Sequence, residues 1–113
     1  MQANSTDVRA ISIDVTCPDE ATAREIADAL IGRRLAACCR IGAPVESRYW
    51  WNGAIERAAE VPLVVKTRAD FFDAVAEAVR ALHPYETPAI LGTPVLADAA
   101  TLRWIADACI ASS

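Results

Sequence analysis

The stretch AACCRIGAPVESRYWWNGAIERAAEVPLVVKT, residues 36–67, decides the fold. Asn52-Gly53 lies in it between two runs of extended character. Asn-Gly between such runs is a strong hairpin signal, because a type I′ turn needs positive φ at both central residues. Each arm reaches about fifteen residues, against a mean strand of roughly 5 to 6. Arms of that length must bend or project beyond the domain. Gly42 and Pro44 mark the bend in the first arm. Pro62 falls inside the second arm. Having no N–H, it belongs at a bulge or where the ladder is already broken.

Upstream, RAISIDVT (9–16) alternates strictly, with Ile11, Ile13 and Val15 on one face and Ser12, Asp14 and Thr16 on the other. That pattern predicts a half-buried strand. Pro18, Asp19 and Glu20 suit the first turn of a helix that closes near Gly32, Arg33 and Arg34. Ala23, Ile26, Ala27 and Leu30 recur at helical spacing and form its buried stripe. Downstream, ADFFDAVAEAVRALH (69–83) predicts a second helix that buries Phe72, Val75, Val79 and Leu82 and stops at Pro84. AILGTPVL (89–96) reads as a last strand. Residues 98–110 read as a third helix, with Leu102, Ile105, Ala106 and Cys109 on one side.

The order β-α-β-β-α-β plus a C-terminal helix is the split β-α-β, ferredoxin-like pattern of the α+β class. Its antiparallel sheet runs in the strand order 4-1-3-2, with both helices on one face. The opposite face then has no cover within the chain, and strands 2 and 4 are open edges. Both features predict a homo-oligomer. Residues 8–113 make one domain, and residues 1–7 read as a frayed terminus.

The 113 residues carry a formal net charge of −4, with 11 basic and 15 acidic side chains. That balance gives no basic footprint for nucleic acid and no polybasic stretch for a membrane surface. No apolar run approaches the ~18 to 20 residues of a membrane span, and the polar start MQANSTDV has no apolar signal segment. The expected location is cytoplasmic, and no organic cofactor is expected.

The topology gathers Cys17-Pro18-Asp19, Tyr49-Trp50-Trp51-Asn52 and HPYETP (83–88) at one rim of the sheet. HPYETP holds the chain's one histidine, a tyrosine and a glutamate between two prolines. It reads as a helix stop and as one wall of a cleft. Four cysteines, at 17, 38, 39 and 109, form no CxxC pair. Cys17 and Cys38 are expected at opposite ends of the sheet, roughly 20 Å apart at ~3.3 Å per strand residue. Cys38 and Cys39, adjacent on a strand, face opposite sides. One chain therefore does not clamp one ion with both Cys17 and Cys38. Cys17, at a helix N-terminus, is placed for a lowered pKa. Lys66 and Arg68 near the far end of the third strand are candidates for an anion site or for pairing with Asp14 or Glu60.

RLAACCRI (34–41), the YWWNG…E stretch (49–56), VVKTR (64–68) and HPYETPAI (83–90) together resemble the CutA divalent-cation tolerance family over about residues 8–110. The resemblance implies tight homotrimers of ferredoxin-like subunits shaped like PII signal transducers, copper or other divalent-cation binding, and no established catalysis. It implies Cys17 and Cys38 as candidate metal ligands, and His83 joins them because a neutral imidazole suits copper and would complement a thiolate at a subunit interface. Trp51, His83, Tyr85 and Glu86 would stand near an inter-subunit cleft, with Lys66 added to that group. A family cysteine late in the second helix has no match, since that stretch reads Ala76, Glu77, Ala78, Val79. Metal tolerance is the favoured function. The alternative is a PII-like sensor of a small anionic metabolite bound between subunits. An enzyme working through His83, Tyr85 and Glu86 is disfavoured by the lack of a Ser-His-Asp set, a P-loop or a GxGxxG.

Overall fold

The structure is a computed structural model that describes residues 9–111. The expectation for residues 1–7 lies outside those residues. Five strands and three helices follow in the order β1 (Ala10–Cys17), α1 (Glu20–Gly32), β2 (Cys38–Ile41), β3 (Val45–Trp51), β4 (Ala54–Arg68), α2 (Phe72–Leu82), β5 (Ile90–Val95) and α3 (Ala99–Ala108). A single 3₁₀ turn, Ala69–Phe71, leads into α2. The sheet is antiparallel throughout, with strand order β2-β4-β1-β5 and β3 paired to the outer half of β4. This is the expected 4-1-3-2 order, with the second strand split in two.

The split has a local cause. Ile41 pairs with Leu63 and Val45 with Glu60, so three residues of one strand oppose two of the other. That count is a bulge, which bends the strand and sharpens its twist. Gly42 N–H donates to the Pro62 carbonyl at 2.9 Å, and a Cβ on Gly42 would stand 2.9 Å from Pro62 Cγ. Only glycine lets the two backbones approach this closely. β3 and the 54–60 half of β4 then leave the body of the sheet as a projecting arm. At its tip, Asn52 and Gly53 have φ of 51° and 79°, as the turn requires.

Ile11, Ile13, Val15 and Cys17 of β1 and Leu63 and Val65 of β4 point to one face. They meet Ala23, Ile26, Ala27 and Leu30 of α1 and Val75 and Val79 of α2 in one core. Phe72 and Leu82, expected in the α2 stripe, are only half-buried at its edge, while Phe71 is buried. Phe72 packs against β5, where a Cβ on Gly92 would come within 2.9 Å of its ring. Asp19 is not inside the first turn of α1. It is the N-cap, and its Oδ1 accepts from Thr22 N–H at 2.8 Å. Beyond α1, Arg34 takes the left-handed conformation at φ 59° that usually falls to glycine. Its carbonyl accepts from Ile110 N–H and its guanidinium donates to the Asp107 carbonyl, which docks the end of α3.

The other face of the sheet carries Ser12, Thr16, Pro62, Val64, Lys66 and Cys38, all half-buried, with Asp14 and Leu91 exposed. Among the described residues no element covers it.

Candidate functional site

At the upper end of this uncovered face a cleft of about 560 Å³ opens between the hairpin arm and the 84–89 loop. Its walls include Thr16, Tyr49, Trp51, Glu60, Tyr85 and Glu86. Ser47, Tyr49 and Trp51 share a face of the arm with Glu60, as the β3–β4 register requires. Glu60 is only 5% exposed. The Tyr85 hydroxyl donates to Glu60 Oε2 at 2.8 Å, which ties the loop to the base of the arm. Burial, then the Glu60 hydrogen bond, push the Tyr85 phenol up to about 12.

His83 stands behind the cleft rather than in it. It is buried at the C-cap of α2. Tyr85 N–H donates to its Nδ1 at 3.2 Å, so Nε2 carries the proton and donates to the Thr16 carbonyl at 2.8 Å. Both ring nitrogens are thus engaged in holding the 83–85 turn against β1. The ring also packs on Tyr85, with centroids 4.6 Å apart.

The three candidate metal ligands do not converge. Cys17 is 0% exposed and faces the helices, paired with Val61. Cys38 pairs with Lys66 on the opposite face of the sheet. Five β4 residues separate the two pairs, roughly 16 Å at ~3.3 Å per residue. Cys17 does not have the lowered pKa expected of a helix N-terminus. Burial, then the carboxylates of Asp19 and Glu60, push its thiol up to about 11. Cys39 faces the core side and is pushed up to about 12, chiefly by burial. Cys38 is half-buried on the uncovered face and is the one expected ligand with neither a core position nor a committed hydrogen bond. Among the described residues no group of three or more His, Cys, Asp and Glu side chains is placed to hold a metal ion. The described residues of one chain do not by themselves supply a chelate.

Lys66, expected with the residues of an inter-subunit cleft, stands apart from the cleft walls within its own chain. It pairs with Ser12 and Cys38 near the lower end of β4 and does not line the cleft. Arg68 is held by Asp70, at 2.9 and 2.7 Å, so within the described residues of one chain neither cation pairs with Glu60. Glu60 enters the sequence reading only as an ion-pair partner, yet it anchors the cleft. Its signal in the sequence is slight: it alternates with Val61 and shares a side with Pro62 and Val64.

Over residues 11–108 the chain matches the family described as CutA1 divalent ion tolerance protein. It is 36% identical to the divalent-cation tolerance protein CutA of Citrobacter koseri, covering 90% of this chain and 92% of that one. It is 38% identical over 95 residues to a chloroplastic CutA 1 of Oryza sativa, of which it spans 54%. Against the plant and animal relatives it spans about half of their own length. The fold matches the crystal structure of CutA1 from Oryza sativa with a TM-score of 0.90 and 34% identity, over 96% of this chain and 100% of that one. The Thermus thermophilus divalent cation tolerance protein gives 0.86 and 37%, over 88% and 98%. No helix among the described residues is long and apolar enough to cross a membrane. None of the relatives named here supports the metabolite-sensor reading. With a profile match across most of its length and a relative at this identity almost fully spanned, the chain belongs to the CutA1 divalent-cation tolerance family.

Proposed function

We propose that this chain works in divalent-cation tolerance as a homotrimer that takes copper or another divalent cation at a site completed between subunits, with no catalytic step. The observation that carries the reading is the uncovered sheet face, which holds both the cleft and the Cys38 thiol. A half-apolar face of this kind calls for cover. The arm adds Trp50, 71% exposed, paired across the strands with Ile55, 63% exposed. β2, β3 and β5 also leave open edges within the described sheet. Association through these surfaces would bring copies of Cys38 into a shared environment. A thiolate suits a soft ion such as Cu(I). Free thiols at all four cysteines fit a reducing compartment such as the cytoplasm.

The test is a copper titration of the reduced protein with the mass in solution measured alongside. Wild type is compared with Cys17→Ser, Cys38→Ser and His83→Ala. Loss of binding in Cys38→Ser alone, in an oligomer of unchanged mass, is the expected result. Equal weak binding by all four proteins would remove copper from the account, and a monomeric wild type would remove the trimer.

A further inference from the structure

Glu60 and Lys66 point to the same uncovered side of β4, and neither meets an opposite charge in its own chain. Glu60 is 5% exposed, and among the described residues its only hydrogen bond comes from the Tyr85 hydroxyl. The described ion pairs are Arg24–Glu20, Arg48–Glu46 and Arg68–Asp70, and none includes Glu60 or Lys66. A carboxylate this far from solvent is unfavourable unless a cation meets it. Six residues of β4 separate the two, roughly 20 Å at ~3.3 Å per residue. One lysine side chain does not bridge that span.

The face that needs cover carries two cations. Arg40, opposite Val64 on the edge strand β2, is exposed. Lys66 lies on the inner strand β4 between Ser12 and Cys38 and is half-buried. Cover over this face would take its ammonium further out of water, which is unfavourable unless a carboxylate comes with the cover. Asp14, diagonal to it across β1, is exposed and makes no ion pair with it. A second copy brings the missing charge for both residues. In a closed ring of copies each Glu60 and each Lys66 is used once.

We infer that the cleft is completed by the partner subunit's Lys66, whose ammonium is the counter-ion of Glu60. The inference rests on the homotrimer proposed above and names the contact that closes it. It also gives the metal reading a location. Cys38 stands directly across from Lys66 in the β2–β4 register, so the same contact carries one copy's thiol to the cleft wall of the next.

Subunit exchange tests the pairing, followed by the mass of mixed oligomers of isotope-labelled and unlabelled full chains. Removing one member of a buried charge pair acts mainly on dissociation. Glu60→Gln keeps an acceptor for Tyr85. It and Lys66→Met should each speed exchange at least about tenfold, and the double variant should exchange no faster than the quicker single. Residues this far apart in one chain otherwise act independently, so effects that multiply overturn the inference. A second measurement does not depend on rates. Glu60→Cys chains are mixed with Lys66→Cys chains, both carrying Cys38→Ser, and treated with a short bismaleimide. The expected product is a linked dimer of one chain of each kind. An intact oligomer without that link overturns the inference and leaves the homotrimer reading standing. A monomeric wild type removes the homotrimer, and the inference with it.

Discussion

The Tyr85 hydroxyl meets Glu60 Oε2 at 2.8 Å across twenty-five residues of sequence, and this contact joins the loop after α2 to the base of the hairpin arm. The same tyrosine is held from behind, where its N–H donates to His83 Nδ1 and His83 Nε2 donates to the Thr16 carbonyl. Loop, strand β1 and arm are thus connected through one series of hydrogen bonds, and the cleft lies between them.

Tyr85→Phe removes the one hydrogen bond that the described residues give the buried Glu60 carboxylate, while keeping the ring. The expected cost is roughly 1 to 3 kcal/mol, the range for leaving a buried charged group without its donor. Urea unfolding of the variant beside wild type measures it. A midpoint unchanged within error would mean that water replaces the phenol without loss.

Alkaline pH should destabilise the fold. Cys17 is raised from 9.0 to about 11, Cys39 from 9.0 to about 12 and Tyr85 from 10.0 to about 12. Each group keeps its proton in the folded state over a range where the unfolded chain has lost it. The folded state binds more protons there, so stability falls as pH rises. The three contributions are complete below pH 9 and are lost between about pH 9 and 12. Denaturation midpoints measured across that range check the window. Cys39→Ala should flatten its lower part, and a flat profile for wild type would contradict the assignment.

Thiol labelling should be selective. Cys17 and Cys109 are buried, and Cys39 is turned to the core side with a raised pKa. Since the thiolate is the reacting form, these three should resist a disulfide reagent at pH 7.5. Cys38, half-buried on the uncovered face, should react first, and all four should react in denaturant. Peptide mapping identifies the labelled residue. Rapid labelling of Cys17 would restore the reactive thiolate that its place before α1 suggests.

Gly92→Ala should cost about 1 to 3 kcal/mol, as overpacking a filled site does. The new Cβ would meet two ring carbons of Phe72 at 2.9 Å, and the ring is backed by the core. A thermal unfolding comparison checks this. Pairing the change with Phe72→Leu should recover part of the loss.

Much of the fold is legible in residue order because its determinants are local. Alternation sets β1, the helical spacing of Ala23, Ile26, Ala27 and Leu30 sets the buried side of α1, and Asn52-Gly53 sets the hairpin. Even the bulge is legible, since Gly42 and Pro62 each break a ladder and the structure puts them opposite one another. The rim that gathers Trp51, Tyr85 and Glu86 follows from strand direction alone.

The chemistry of the individual side chains was decided only in three dimensions. Position before a helix argues for a reactive Cys17, but desolvation and two nearby carboxylates outweigh the helix end. An isolated histidine beside a helix end can be a cap or a ligand, and only the structure shows both of its nitrogens bonded within the chain. Lys66 reads as a partner for Glu60 until the register places it six residues along β4, beside Cys38. Periodicity and turn chemistry act between near neighbours and are written in the chain. Burial, charge pairing and hydrogen-bond commitment depend on which distant residues meet, and here they make Glu60, Tyr85 and His83 one connected site.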